Sequence, residues 1–140
     1  MVSNSAMFIL MLFAGLLANM NIFASDWHDI SWTLNDLYMA LLMTGLTFIF
    51  MGLYSRDRMQ LLIGFITSIA SFLAIRLQLF ISQQGYLFGM IPHHSMAIFT
   101  SQKLLRRSDV SPEVRQLAQN IIASQTPEIT QMKYFLRSNK

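Results

Sequence analysis

No cysteine occurs among the 140 residues. Disulfide frameworks, thiolate metal sites, zinc fingers and cysteine nucleophiles are excluded together, so any bound metal must be held by His, Met, Asp or Glu. Charge is almost as scarce, at 12% of residues against about 25% in an ordinary soluble domain. Glutamate appears only as Glu113 and Glu128, too few for a carboxylate-bridged oxidase site. A Gly-rich phosphate loop, a GxSxG elbow and a hydrolytic zinc motif are all missing, and no enzymatic activity is expected. Dense Lys/Arg runs with interleaved aromatics are missing too, which sets nucleic acid aside as a partner. The length leaves room for one domain beside membrane spans.

What is present is apolar: 54% of the chain is hydrophobic. Three stretches carry no formal charge, Ala6–Ser25, Leu37–Ser55 and Met59–Ile75, of 20, 19 and 17 residues. A hydrocarbon core about 30 Å thick needs about 20 helical residues. The first two stretches qualify directly, and the third does if it runs past Arg76 towards Ser82. The expected architecture is all-α, with transmembrane helices over about 6–25, 37–55 and 59–82 inside a membrane region 1–84, because only helices satisfy their own backbone in lipid here. A cleaved signal peptide is the other reading of the first stretch, but it lacks a Lys/Arg-bearing leader and its apolar run is long for one. Trp27, Trp32, Tyr38 and Tyr54 lie at or just inside the ends of these stretches, where amphipathic rings favour the headgroup level.

The two parts of the chain differ in charge. Residues 1–84 hold three arginines against four aspartates, whereas residues 85–140 hold seven Lys/Arg against three acids, a net +4. Arg56 and Arg58 lie between the second and third spans, while the loop with Asp26, His28 and Asp29 has no Lys or Arg; the Arg loop should therefore face the cytoplasm. Residues 85–140 then fall on the outer or periplasmic face of a cell inner membrane. The basic tail argues the other way, but its first lysine, Lys103, is far from the span end, where the charge rule loses force. Arg76 reads as snorkelling to the interface and Asp36 as part of an amino-terminal cap, with Thr33 and Asn35 competing for the cap position.

Residues 85–140 read as an antiparallel helical hairpin. A helix runs from about Gly89 to Arg107 and a turn follows at Ser108–Ser111. Ser111, Pro112 and Glu113 then supply a capping hydroxyl, a proline at the first helical position and an acid at the positive dipole end. Val114, Leu117, Ala118, Ile121, Ile122, Gln125, Glu128, Ile129, Met132, Phe135 and Leu136 recur at three- and four-residue steps as one stripe. Glu128 on such a stripe needs a partner. Folding about Val110 puts His94 16 residues before the turn and Glu128 18 after it. His93 or His94 should therefore meet Gln125 and Glu128, with Met90 near Met132. Imidazole, carboxylate and thioether form a competent metal set, and thioether tilts it towards copper in its reduced state, with another transition metal as the alternative. Each residue also has an ordinary role: methionine as packing, histidine as hydrogen-bonded structure, Glu128 as an ion-pair partner. Pro92 could open the first helix and so remove Met90 from the shared face, and Pro127 should kink or restart the second with Thr126 as cap.

Gly89-Met-Ile-Pro-His-His-Ser-Met-Ala-Ile98, Pro112-Glu-Val-Arg-Gln-Leu-Ala-Gln-Asn-Ile-Ile122 and Gln125-Thr-Pro-Glu-Ile-Thr-Gln-Met132 together resemble the domain of unknown function 305 family. That resemblance implies a ferritin-like helical bundle, usually exported, some members of which are linked to copper. It carries His93, His94, Glu128, Met132 and Met90 over as ligands, with Met96 a looser candidate. Gln83 and Gln84 stand where soluble members often have an Asp, and one hairpin stands where others have two, which is half of a four-helix bundle. Either the spans complete the bundle or two chains pair their hairpins into a homodimer. Three spans before the motif resemble a membrane-bound branch of the family, for which no activity is implied. The expected function is a small multi-pass protein in the lipid bilayer, binding copper for sequestration, sensing or delivery to a metal-handling partner. The alternative is a membrane scaffold or assembly subunit with the hairpin as a docking module and no metal.

Overall fold

A computed structural model describes residues 3–138 of the chain. Among them are five helices: α1 (Asn4–Leu17), α2 (Leu34–Ser55), α3 (Arg58–Arg76), α4 (Gln83–Leu105) and α5 (Pro112–Ser138). Two 3-10 turns, Met20–Phe23 and Trp27–Asp29, lie between α1 and α2. Three segments are long and apolar enough to cross a membrane: Asn4–Phe23, Leu34–Ser55 and Arg58–Arg76. The described residues divide into two compact units, one of residues up to Asn19 with Thr33–Ile81, the other of Met20–Trp32 with residues from Ser82 onward.

In the first unit the helix ends follow from local chemistry. Thr33 caps α2 and Asp36 completes the reciprocal box, its carboxylate accepting from the Thr33 N–H at 2.8 Å. Thr33 thus takes the cap position for which Asn35 competed. Asp57 caps α3, accepting from the N–H groups of Met59 and Gln60. The Gln60 N–H leads the effects that hold its carboxyl below the usual aspartate value, with Asn4 and the Met59 N–H adding to it. The third span stops at Arg76 and does not run on to Ser82. Gln78 takes the left-handed conformation (φ 48°), and the Leu79 N–H turns back to the Ala74 carbonyl at 3.0 Å, closing the carboxyl end in a Schellman arrangement. Arg76 is exposed in that last turn, where a cation meets the negative dipole end.

α2 and α3 touch backbone to backbone. A Cβ on Gly64 would lie 2.7 Å from the Ile49 nitrogen and 2.8 Å from the Gly45 carbonyl oxygen, and one on Gly45 would lie 2.5 Å from Ser68 Oγ. Helices with little hydrophobic drive in lipid associate through such small-residue contacts. Fully buried Phe48 meets Phe8 of α1 edge to face, with centroids 5.4 Å apart. Gly64→Leu should therefore drive α2 and α3 apart. A Cys pair placed across the two helices should lose its cross-linking yield several-fold in that variant, and unchanged yield would contradict the close packing.

In the second unit α4 begins at Gln83, six residues earlier than the Gly89 start read from sequence. Ser82 supplies the cap, its hydroxyl accepting from the Gly85 N–H at 3.0 Å. Pro92 lies inside the helix. Having no N–H, it leaves the Phe88 carbonyl without its helical donor, and the Ser31 hydroxyl donates to that oxygen. Pro127 likewise sits inside an unbroken α5, exposed on its outer side, while the Thr126 hydroxyl donates back to Ile122 at 2.7 Å and caps nothing. The Arg115 guanidinium takes the carbonyls of Leu105 and Arg107, each at 2.9 Å, at the end where α4 gives way to α5. Ile91, Ile98, Ile129 and Met132 form the core between the two helices.

Candidate functional site

His94 is the histidine that α4 turns towards α5. Its Nδ1 lies 3.0 Å from Glu128 Oε2, with the His94 side chain 15% and the Glu128 side chain 49% exposed. The contact has the distance of an ion pair without the alignment of a hydrogen bond, and Nδ1 is a buried atom with no hydrogen-bond partner. Gln125 Oε1, one turn before Glu128 on the same helix, is also buried and without a partner. Orphaned polar atoms of this kind are rare and expensive in folded proteins.

His93 does not join them. It is exposed on the next position of α4, its ring centroid 6.0 Å from that of His94. Met132 lies in the apolar core and Met90 packs against it. They sit one turn from His94 and Glu128 on the same faces, with hydrocarbon neighbours. Of the five positions read from sequence, the structure thus brings His94 to Glu128 and Met90 to the Met132 cluster, and leaves His93 on the surface. Among the described residues no group of three or more His, Asp or Glu gathers at metal-holding distance. A cation held here would take His94, Glu128 and the Gln125 amide oxygen first. The fit is that of one imidazole–carboxylate pair with an amide oxygen one turn earlier on α5 and the sulfurs a turn away.

A second polar cluster lies in the same unit, and nothing in the sequence reading pointed to it. The connector between α1 and α2 folds onto α4. Asn21 closes it on itself through Ser31, donating to the carbonyl at 2.8 Å, and Phe23 packs on Phe99. Asp29 on this connector is 5% exposed. Its carboxylate accepts from the Ser95 hydroxyl at 2.6 Å and from the Lys133 ammonium. Ser95, wholly buried, in turn accepts from the Ser25 N–H at 2.8 Å. Asp29, Ser95 and Lys133 therefore join the connector, α4 and α5 in one network. Beside it is a cavity of about 340 Å³ bounded by His28, Asp29, Phe88, Lys133, Leu136 and Arg137, among others. Asp26, bonded to the lining residue His28, accepts from both its backbone N–H and its imidazole. These bonds, the backbone one foremost, hold the Asp26 carboxyl below its usual value.

Residues 83–140, the stretch from α4 onward, match the family described as "Domain of unknown function (DUF305)", and the chain belongs to that family. Uncharacterized protein L153 of Acanthamoeba polyphaga mimivirus is 40% identical over 146 residues, an alignment that takes in 98% of this chain and 95% of the viral protein. The likeness therefore runs through the three apolar helices as well as α4 and α5. No solved structure matches the chain.

Proposed function

We propose that this is a three-span membrane protein whose outward α4–α5 hairpin binds a transition metal, copper first, for sequestration, sensing or delivery. The observation that carries the metal reading is the 3.0 Å approach of His94 Nδ1 to Glu128 Oε2, with Gln125, whose buried Oε1 has no hydrogen-bond partner, three residues before Glu128 on α5. An imidazole nitrogen and a carboxylate oxygen this close are a competent pair of metal donors, and a cation would satisfy both where hydrophobic packing cannot. His94 would hold the ion through imidazole nitrogen and Glu128 through carboxylate oxygen. Met90 and Met132 are the sulfurs within reach if the apolar cluster opens.

The connector supports the placement. Residues of the connector and residues from Ser82 onward build one unit, which supports a reading with both on the same side of the bilayer and two crossings by α2 and α3 between them. With Arg56 and Arg58 inside, that side is the outer one. A reporter active only outside the cytoplasm should be active when fused after Lys140 and inactive when inserted after Arg56. The reverse pattern would place the hairpin in the cytoplasm.

The second reading, an assembly subunit without metal, is favoured by a different observation. Met90 and Met132 pack as ordinary core, and Val114, Leu117 and Phe135 of α5 are exposed at 45%, 57% and 40%. Copper(I) titration of the detergent-purified protein, with helical content followed in parallel, separates the two. Tight binding that His94→Ala abolishes in a folded protein supports the metal site, and absence of copper, zinc and iron binding leaves the docking module.

A further inference from the structure

We infer that the cavity between the connector and the ends of α4 and α5 binds the phosphate of an anionic phospholipid headgroup. This rests on the membrane reading of α1–α3 and is independent of the metal reading.

The cavity has a mixed lining. Phe88, Ile91 and Leu136 make part of it apolar. Lys133 and Arg137, one helical turn apart on α5, line it together with His28. Both nearby carboxylates are already committed, since Asp29 takes the Lys133 ammonium and the Ser95 hydroxyl and Asp26 takes His28. Lys133 keeps two further N–H donors, and Arg137 forms no ion pair among the described residues. His28 is committed to Asp26 through Nδ1. The Lys133 ammonium and the Arg137 guanidinium therefore offer the free donors to anionic oxygen, and a guanidinium fork matches phosphate in shape as well as charge. Apolar side chains in the same lining as such a fork suit an amphiphile better than a bare ion. A volume of about 340 Å³ holds a phosphoglycerol group with the first carbons of its chains.

The source of that amphiphile follows from the flanks. Residues 28–31 of the cavity wall lie between Trp27 and Trp32, which are 86% and 56% exposed, and the span α2 begins at Leu34. Exposed tryptophans beside a span mark headgroup depth. They put the cavity wall where lipid phosphates are densest.

The test uses the full-length protein in a neutral detergent, titrated with short-chain phosphatidylglycerol, short-chain phosphatidylcholine and inorganic phosphate. Wild type should bind phosphatidylglycerol at least several-fold more tightly than either of the others. Arg137→Ala should weaken that binding about tenfold, the loss of a charge-assisted pair, while Arg106→Ala, outside the cavity, should not change it. Equal weakening by both variants would mean diffuse surface charge and overturn the site. Inorganic phosphate binding as tightly as phosphatidylglycerol would overturn the lipid. Should Arg137→Ala lose helical content, Leu136→Asp provides the second arm. It keeps every cation and spoils the apolar part of the lining, so undiminished phosphatidylglycerol binding in that variant would also overturn the proposal.

Discussion

Lys133→Met should cost the second unit about 1–3 kcal/mol, the usual penalty for leaving a buried acceptor without its donor. The reason lies in what is left behind. Asp29 is 5% exposed, and without the ammonium only the Ser95 hydroxyl faces its charge. Hydrogen exchange of α5 amides measures the change locally, because the helical signal of the whole chain is dominated by the spans. Asp29→Leu combined with Lys133→Met should recover most of the loss, since an apolar pair of similar volume often matches the ion pair it replaces. If Lys133→Met alone exchanges as slowly as wild type, the carboxylate reaches water and the network does not hold the connector to α5.

His94→Ala and His93→Ala should differ sharply. Removing His94 should lower copper(I) affinity by more than the roughly 10–100-fold that outer-sphere partners cost. Removing His93, exposed and turned from Glu128, should cost a few-fold at most. Glu128→Gln should fall between them, because the amide keeps an oxygen donor and gives up the charge. Equal losses for the two histidines would move the site to the surface of α4. No metal effect for either, with a stability loss for His94→Ala, would assign His94 and Glu128 to packing and favour the docking module.

The meeting of His94 with Glu128 could be read from sequence because both lie on regular helices and a short turn fixes their register. Counting from Val110 reaches them through local geometry alone. The same count could not separate His93 from His94. Adjacent residues on a helix point about 100° apart, and a start at Gln83 in place of Gly89 carries no weight in a periodicity centred on the histidines. Met90 and Met132 were legible as neighbours and were read as ligands, but spacing alone does not decide that role, since hydrocarbon contacts and metal contacts ask for the same spacing. The Asp29–Ser95–Lys133 network left no trace. Its ends are 104 residues apart, the connector has no periodicity, and Lys133 sits directly after Met132, off the apolar stripe, where it reads as a solvated cation. Asp29, beside Asp26 and His28 in an otherwise apolar and aromatic connector, was the one available signal, and it reads equally well as loop.

Pro92 and Ser31 bear on how the protein is made. The Ser31 hydroxyl that satisfies the Phe88 carbonyl is synthesised well before α4, with two whole spans translated in between. Until α4 and α5 have been made, the connector waits with its half of the bonds unmade. The second unit can close only after α2 and α3 have been translated. An α4–α5 fragment expressed alone starts life with a proline-freed carbonyl and an unmatched lysine. The stretch that carries the family signature is therefore shorter than the piece of chain that has to fold together.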